Sequence, residues 1–167
     1  LPSPMHGGDF TIAARIRAGR PILVHDSGRS LWAVTAAEDL AVGLVGLLGQ
    51  TDCLGQCYHI TTDQVTTWRG IYHEIGRALG VEPVLVPIPT AFLCTRAPRA
   101  AAGLAGDKAH DAVFDNTRCK RAVPAFGCRW SLRDQITRSI DGLLADPARQ
   151  VVDADKDREI DALIAAW

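Results

Sequence analysis

Three glycines in the first half of the chain have the spacing of a dinucleotide-binding turn. Gly43, Gly46 and Gly49 form a Gly-x-x-Gly-x-x-Gly pattern, and the acidic residue Asp63 follows the first glycine by 20 positions. In such a turn the glycines directly follow a strand and open a helix, whose free N–H groups bind the pyrophosphate. The first chemistry to consider is therefore the binding of a dinucleotide cofactor.

The residues before these glycines favour a different interpretation. The strand-like run 31–35 ends well before Gly43, and Glu38-Asp39 is typical of the start of a helix, where acidic side chains are stabilised. The glycines then fall in the later half of that helix. We expect Gly43 and Gly46 to allow close packing, and Gly49 to end the helix with a positive φ. This block therefore predicts no cofactor-binding residue.

Other residue types that carry chemistry do not form a recognisable pattern. Histidine, aspartate and serine are adjacent in residues 25–28, but triad partners must converge from separate elements, so these residues predict a turn. No Gly-x-Ser-x-Gly elbow and no pair of histidines four residues apart occurs in the sequence. Cys53 and Cys57 lack a second cysteine or histidine pair nearby. The sequence predicts neither a hydrolase nor a metal site, and His73-Glu74 is interpreted as a solvated or half-buried pair.

The middle of the chain is locally basic. The residues concerned are Arg96, Arg99, Lys108, Arg118, Lys120, Arg121 and Arg129. Such residues are usually a solvated face, but some could bind an anionic substrate. Arg118, Lys120 and Arg121 share a short predicted helix and could form a small nucleic-acid patch, although no stacking aromatic residues are interleaved with them.

Composition limits the class of protein. The chain has 167 residues, of which 47% are hydrophobic and 22% are charged, and its net charge is −1. These values are ordinary for a globular domain and give no global basic field. No apolar run reaches the roughly 18 residues of a membrane span. The five irregularly spaced cysteines predict reduced thiols and a cytoplasmic location. The chain begins with Leu1 and its single methionine is Met5, so we expect it to be cut from a longer protein.

Strands and helices alternate along the sequence, which predicts an α/β fold. Strands are predicted over residues 21–25, 30–35, 56–61, 84–88 and 112–114, the fourth at a sheet edge because of its prolines. Helices are predicted over residues 9–17, 36–48, 66–79 and 89–105, the last broken at Pro98. Further helices are predicted after the caps Asp115, Ser131 and Asp153.

Segments along nearly the whole chain resemble, in order, the C-terminal half of an extended short-chain dehydrogenase/reductase of the NAD-dependent epimerase/dehydratase family. The resembling segments are residues 16–24, Asp26-Ser-Gly28, 32–41 with Glu38-Asp39-Leu40-Ala41, 55–61, 65–68, Phe114-Asp115-Asn-Thr-Arg118, 123–127 and 131–144. Each motif is weak alone, but the ordered set is fairly specific. The resemblance implies a C-terminal substrate-binding lobe together with the last strands of a Rossmann-type sheet.

The resemblance also implies what this chain lacks. The N-terminal half of the family carries the cofactor glycine loop and a catalytic Tyr-x-x-x-Lys pair, whereas here Tyr58 is followed by Thr62 and Tyr72 by Gly76. Residues 1–167 would then be the substrate-binding region of an enzyme that uses NAD or NADP, with the cofactor-binding half absent and no catalytic residue in this chain. The whole enzyme would act on a sugar or a related hydroxyl or carbonyl substrate, and this region alone would be inactive.

Five residues are the candidates for contacts with that small-molecule substrate: Phe10, Thr11, Trp32, Lys108 and His110. Core packing for Phe10 and Trp32, and solvent exposure for the others, is the alternative. Trp32 stands where many relatives place an arginine that reaches a nucleotide-sugar phosphate, and no arginine directly precedes Gly106-Asp107. These departures favour an aromatic-lined pocket over a nucleotide-sugar site.

Two kinds of macromolecular partner are also implied. A half-enzyme exposes apolar faces, so we expect the missing cofactor domain or a homodimer to cover them. Plant chloroplast relatives of this family bind RNA, which leaves a non-catalytic binding protein on the same fold as the alternative function. No membrane partner is expected.

Overall fold

A computed structural model of the chain describes residues 9–167; Leu1 and Met5, which predict a longer protein, lie outside this range. The strands are β1 (Ile22–His25), β2 (Leu31–Ala33), β3 (Val65–Thr67) and β4 (Leu85–Ile88). The helices are α1 (Thr11–Arg17), α2 (Ala37–Leu47), α3 (Trp68–Leu79), α4 (Thr90–Arg96), α5 (Pro98–Gly103), α6 (Thr117–Ala122), α7 (Leu132–Leu144) and α8 (Ala154–Ala165). The α/β prediction is confirmed, and most of the regular structure is helical.

The strands form two small ladders. β1 and β4 are parallel, with Ile22 opposite Leu85 and His25 opposite Ile88, so both strands end at the same edge. β2 and β3 are antiparallel, with Leu31 opposite Thr67. Every residue of β1 is buried, as expected for a parallel strand that is covered on both faces.

The main core lies around β1 and one face of α3. The apolar stripe of α3 is buried at Trp68, Ile71, Tyr72 and Ile75, which confirms the helical periodicity of that segment. The helix begins at Trp68, two residues later than the predicted start, because Thr67 is its N-cap and accepts a hydrogen bond from the backbone of Gly70. The residues just before it form β3 instead.

Two predicted strands are wrong. Residues 56–61 form no ladder, because side chains satisfy the backbone there: Asn116 donates to the Thr61 carbonyl at 2.8 Å and Arg118 to the Cys57 carbonyl at 3.3 Å. Residues 112–114 are also not a strand. The Ala112 N–H donates to the Leu31 carbonyl at 2.8 Å, but no ladder continues from this bond.

The interpretation of the glycine-rich block is confirmed. Gly43 and Gly46 lie inside α2, and Gly49 follows its C-terminal end with a φ of +79°. A Cβ atom placed on Gly43 would lie 2.5 Å from Ile60 Cγ2 and 3.1 Å from the Phe126 ring. Side chains therefore already fill the space beside Gly43 and, through Val123, beside Gly46, which leaves no room for a pyrophosphate at these two glycines.

An ionic cluster around the buried Arg15 joins α1 to α8. The Arg15 guanidinium, only 1% exposed, contacts Asp157 at 2.6 Å and Asp161 at 2.7 Å, and also donates to the Pro21 carbonyl. Arg20 binds the same two carboxylates from the solvent side. Burial raises the pKa of Asp157, but the hydrogen bonds from Arg20 and Arg15 outweigh it and lower that pKa overall. The cluster thus holds α8 against α1 while its carboxylates are ionised.

Replacing Arg15 tests this cluster. Arg15→Met leaves the Pro21 carbonyl without this donor and the two carboxylates with Arg20 alone, so we expect the free energy of unfolding to fall by about 2–3 kcal/mol in urea titrations. Arg20→Met is the matched control, because the Arg20 side chain is 41% exposed; its loss should cost about 1 kcal/mol or less. Equal effects of the two substitutions would contradict the assignment.

A second pair of substitutions tests the packing role of the glycines. Gly43→Ala inserts a methyl group against Ile60 and Phe126, so the free energy of unfolding should fall by about 1–3 kcal/mol. Gly106→Ala meets no atom within 4 Å and should leave stability nearly unchanged. Thermal or urea unfolding measures both, and a neutral Gly43→Ala would show that α2 is not closely packed at this position.

Candidate functional site

Several hydrogen-bonded or buried polar side chains lie at the edge where β1 and β4 end. In open α/β sheets, ligands bind outside the carboxyl ends of parallel strands. His25 ends β1, and Asp26 follows it with a φ of +48°. The Asp26 carboxylate accepts hydrogen bonds from the backbone N–H of Thr90, at 2.9 Å, and from its hydroxyl. This contact fixes the two strand ends relative to each other.

A short chain of hydrogen bonds begins at His25. His25 Nε2 lies 2.9 Å from Ser30 Oγ, and Ser30 Oγ donates to the Lys108 carbonyl oxygen at 2.8 Å. Because a carbonyl can only accept, the single hydroxyl proton of Ser30 is used there, and His25 Nε2 must donate to Ser30. The neutral imidazole is thereby held in the Nε2–H tautomer, in which Nδ1 is an acceptor.

Burial controls the charge of this histidine. Desolvation lowers the pKa of His25 and outweighs the opposite influence of the Asp26 carboxylate and the Lys108 carbonyl. His25 is therefore neutral near pH 7, which is consistent with its role as donor to Ser30 through one nitrogen only.

An aromatic layer covers the histidine. The Trp68 ring is edge-on to His25, with centroids 6.1 Å apart, and the Trp32 ring lies 4.9 Å from Trp68. The Lys108 ammonium lies 5.8 Å from the centre of the Trp32 ring, a cation–π contact at its outer side. We call His25, Ser30, Trp32, Trp68 and Lys108 the His25–Trp68 cluster.

Two nitrogens in this cluster have no hydrogen-bond partner. Over residues 9–167, the buried side-chain polar atoms without a partner are His25 Nδ1 and Trp68 Nε1, on residues that are 1% and 2% exposed. Buried polar groups are nearly always satisfied, so an unsatisfied pair in one place requires an explanation. One nitrogen is an acceptor and the other a donor, and this pair distinguishes the cluster as the candidate site.

Backbone contacts position Trp32 and Lys108, which are 76 residues apart. The Leu31 N–H donates to the Asp111 carboxylate at 2.7 Å, and the segment around Asp111 returns a bond to the Leu31 carbonyl. Lys108 ends a π-helical turn over Leu104–Lys108. The structure therefore brings together two of the five residues predicted to bind substrate.

The other three predicted residues lie elsewhere. Phe10 and Thr11 are buried in the core, and Thr11 Oγ1 accepts a hydrogen bond from the Asp153 N–H at 2.9 Å, where α1 meets α8. His110 is exposed and its Nε2 lies 2.9 Å from the Ala105 carbonyl oxygen. The candidate site is built without Phe10 and Thr11, for which a substrate contact stays a prediction.

Sequence reasoning missed three members of the cluster. The sequence predicts His25 at the end of a strand beside a turn, Ser30 in a strand and Trp68 on the apolar face of a helix, and gives none of them a role in binding. The signal that could have marked His25 is a histidine that ends an otherwise apolar strand. No sequence signal distinguishes Trp68 from an ordinary core tryptophan.

Some of the basic residues of the middle segment have partners within the fold. Lys120 contacts Asp63 at 2.6 Å, and hydrogen bonds from Lys120 and Asn116 hold the pKa of Asp63 below its usual range. Asp63, the acidic residue that follows Gly43 by 20 positions, is thus bound by other residues of the fold. Arg118 stacks at 5.1 Å on the Tyr58 ring, so the structure supplies an aromatic neighbour that the sequence order did not show.

Two concave surfaces lie away from the cluster. One, of about 760 Å³, is formed by Pro98–Ala100 and the first half of α8, and ion pairs such as Lys156 with Asp9 already neutralise part of its lining. The other, of about 370 Å³, lies between α2 and α7 and is crossed by the ion pair of Glu38 with Arg138. Neither lining includes the two unpartnered nitrogens.

The described residues fit neither a metal ion nor a dinucleotide cofactor. In the described part of the chain, no group of three or more histidine, cysteine or acidic side chains is placed to hold a metal ion. The five cysteines are free thiols. The glycines of α2 do not fit a dinucleotide, because Ile60, Val123 and Phe126 occupy the space beside them. Between residues 9 and 167 there is also no helix with the length and apolar character needed to cross a membrane.

Comparison with known proteins finds similarity in structure only. No family model and no curated protein sequence matches the chain. The chain is similar to part of the UDP-glucose 4-epimerase of Thermotoga maritima, solved with UDP-glucose, with a TM-score of 0.59 and 13% identity over 80% of this chain and 38% of that one. It is similar to the UDP-glucuronic acid 4-epimerase of Bacillus cereus, solved with UDP-glucuronic acid and NAD, with a TM-score of 0.62 and 12% identity over 80% and 38%.

A third solved structure matches a larger share of this chain. The enzyme WbmF of Bordetella bronchiseptica, solved with NAD+, has a TM-score of 0.57 and 17% identity over 93% of this chain and 41% of its own. The chain thus spans about two fifths of the length of the enzymes that it resembles. At these identities the likeness establishes a shared fold, that of part of a sugar-nucleotide epimerase.

The neutral state of His25 gives a testable pH dependence. Unfolded His25 titrates near 6.5 and folded His25 titrates lower, so the unfolded chain binds more protons between these values. The free energy of unfolding should therefore decrease as the pH falls below 6.5. Urea titrations between pH 7 and pH 5 should show this slope in the wild type and a flatter one in His25→Phe; equal slopes would contradict the burial of a neutral imidazole.

Proposed function

We propose that residues 1–167 are the C-terminal substrate-binding region of an NAD- or NADP-dependent epimerase/dehydratase that acts on a sugar or a related hydroxyl or carbonyl substrate. The observation that carries the proposal is the fold: 80–93% of this chain matches 38–41% of enzymes solved with NAD or a UDP-sugar. The ordered motifs of the sequence support the same assignment.

The cofactor and the catalytic acid/base belong, in this proposal, to another half of the protein. The chain has no Tyr-x-x-x-Lys pair, and the glycines of α2 pack against side chains. α2 also exposes apolar residues, among them Leu40, Leu44 and Val45, which a further domain or a second copy would cover. This region alone then binds substrate groups without catalysing hydride transfer.

The charges around Lys108 favour a neutral hydroxylated substrate over a diphosphate. The Lys108 ammonium lies 3.1 Å from the Asp107 carboxylate, and the Asp111 carboxylate is three residues further along the chain. A diphosphate carries at least two negative charges and would meet these carboxylates beside a single lysine. The Trp32 ring instead offers an apolar surface on which the carbon face of a sugar ring can pack.

Calorimetric titration of the cofactor tests the proposal. NAD and NADP should give no saturable heat with residues 1–167, and should bind the longer protein encoded in the same reading frame. That longer protein should contain a Tyr-x-x-x-Lys pair and lose activity when the tyrosine is changed to phenylalanine.

Either of two results would contradict this account. Saturable NAD binding by residues 1–167, abolished in Gly43→Ala, would mean that α2 carries the cofactor loop after all. A longer protein with no Tyr-x-x-x-Lys pair and no cofactor binding would remove the enzyme assignment and leave the non-catalytic alternative.

The non-catalytic alternative is a protein that binds single-stranded nucleic acid through the surface around Arg118. Arg118 stacks on Tyr58, and the exposed Phe114 ring lies 5.1 Å from His59. Stacking rings beside cations are the features that bind single strands. Filter binding of RNA across a salt series distinguishes this function: a steep loss of affinity with salt supports it, and a weak, flat response removes it.

A further inference from the structure

We propose that the two unpartnered nitrogens of the His25–Trp68 cluster bind one hydroxyl group of the substrate. The hydroxyl donates its proton to His25 Nδ1 and its oxygen accepts from Trp68 Nε1–H. His25 and Trp68 are thus a binding site for an alcohol, and the identity of that alcohol as a sugar rests on the proposed function.

The chemical class follows from the two nitrogens. The bond to Ser30 protonates His25 at Nε2, so Nδ1 offers only a lone pair. The indole nitrogen of Trp68 can only donate. A partner of both must accept and donate through the same small group. A carbonyl or carboxylate only accepts and an ammonium only donates, whereas a hydroxyl does both.

The surroundings favour an uncharged group. Both residues are almost fully buried, and their rings meet edge to face at 72°. Placing a charge in such a buried site would carry a desolvation cost that an uncharged group does not. One hydroxyl between the two nitrogens would satisfy both groups that are otherwise left without a partner.

Trp32 controls access to this pair. Its ring covers Trp68 at 4.9 Å and is itself half-buried. It lies on β2, a strand of three residues that pairs with β3 alone among the described strands, and two-stranded ladders are only marginally stable. The contact with Lys108 on its outer side holds the ring in place without enclosing it. Within the proposal, the hydroxyl group reaches the His25–Trp68 pair by displacing the Trp32 ring.

Nuclear magnetic resonance on the unmodified chain tests the proposal directly. Glucose, at concentrations up to saturation, should shift the indole N–H of Trp68 and the Nδ1 of His25 together. The Trp130 indole, which stacks on Arg138, is the internal reference and should not move. Tetrahydropyran, a sugar-sized ring without a hydroxyl group, should give no saturable shift.

Variants separate binding from structure. Trp68→Phe assigns the signal, and removal of its donor should weaken glucose binding about tenfold, as judged from the His25 resonance. Trp32→Phe, which keeps an aromatic ring at this position, should leave binding within a factor of about two. If Trp68→Phe does not fold, the wild-type titration still decides the question.

Each outcome has a definite meaning. No saturable shift with any hydroxyl compound, or equal shifts with tetrahydropyran, would overturn the proposal. Shifts with cyclohexanol and none with glucose would support the hydroxyl site while contradicting a sugar as the substrate of the proposed function.

Discussion

The site depends on one chain of hydrogen bonds, from His25 Nε2 through the Ser30 hydroxyl to the Lys108 carbonyl. This chain joins the end of β1 and the residue before β2, which are 5 residues apart, to the π-helical turn, which follows Ser30 by 78 residues. It also fixes which nitrogen of the imidazole carries the proton. The position of Lys108 beside Trp32, and the acceptor character of His25 Nδ1, both follow from it.

The elements that support this chain are those that local sequence rules describe well. The Ser131 and Asp153 caps, the apolar stripe of α3 and the helical setting of Gly43 depend on neighbouring residues, and the structure has each of them. The ladders were harder to predict. Residues 56–61 have strand-like composition, but side chains such as Asn116, which the sequence places far away, satisfy their backbone.

The candidate site was predictable only in part. Trp32 and Lys108 are predicted to bind substrate because they flank family-like blocks, and the structure places them in contact. His25 and Trp68 were not, because the feature that distinguishes them is a missing partner inside the fold, which no spacing in the sequence records. Phe10 is the opposite case: the sequence predicts a substrate contact, whereas the structure buries this residue in the core at the start of a helix.

The tautomer of His25 is the most direct test of the account. Nitrogen-15 spectra of the unmodified chain at pH 7 report which ring nitrogen of His25 is protonated. The account predicts a neutral ring with the proton on Nε2, coupled across the hydrogen bond toward Ser30, and an unprotonated Nδ1. A proton on Nδ1, or a charged imidazolium at that pH, would contradict it.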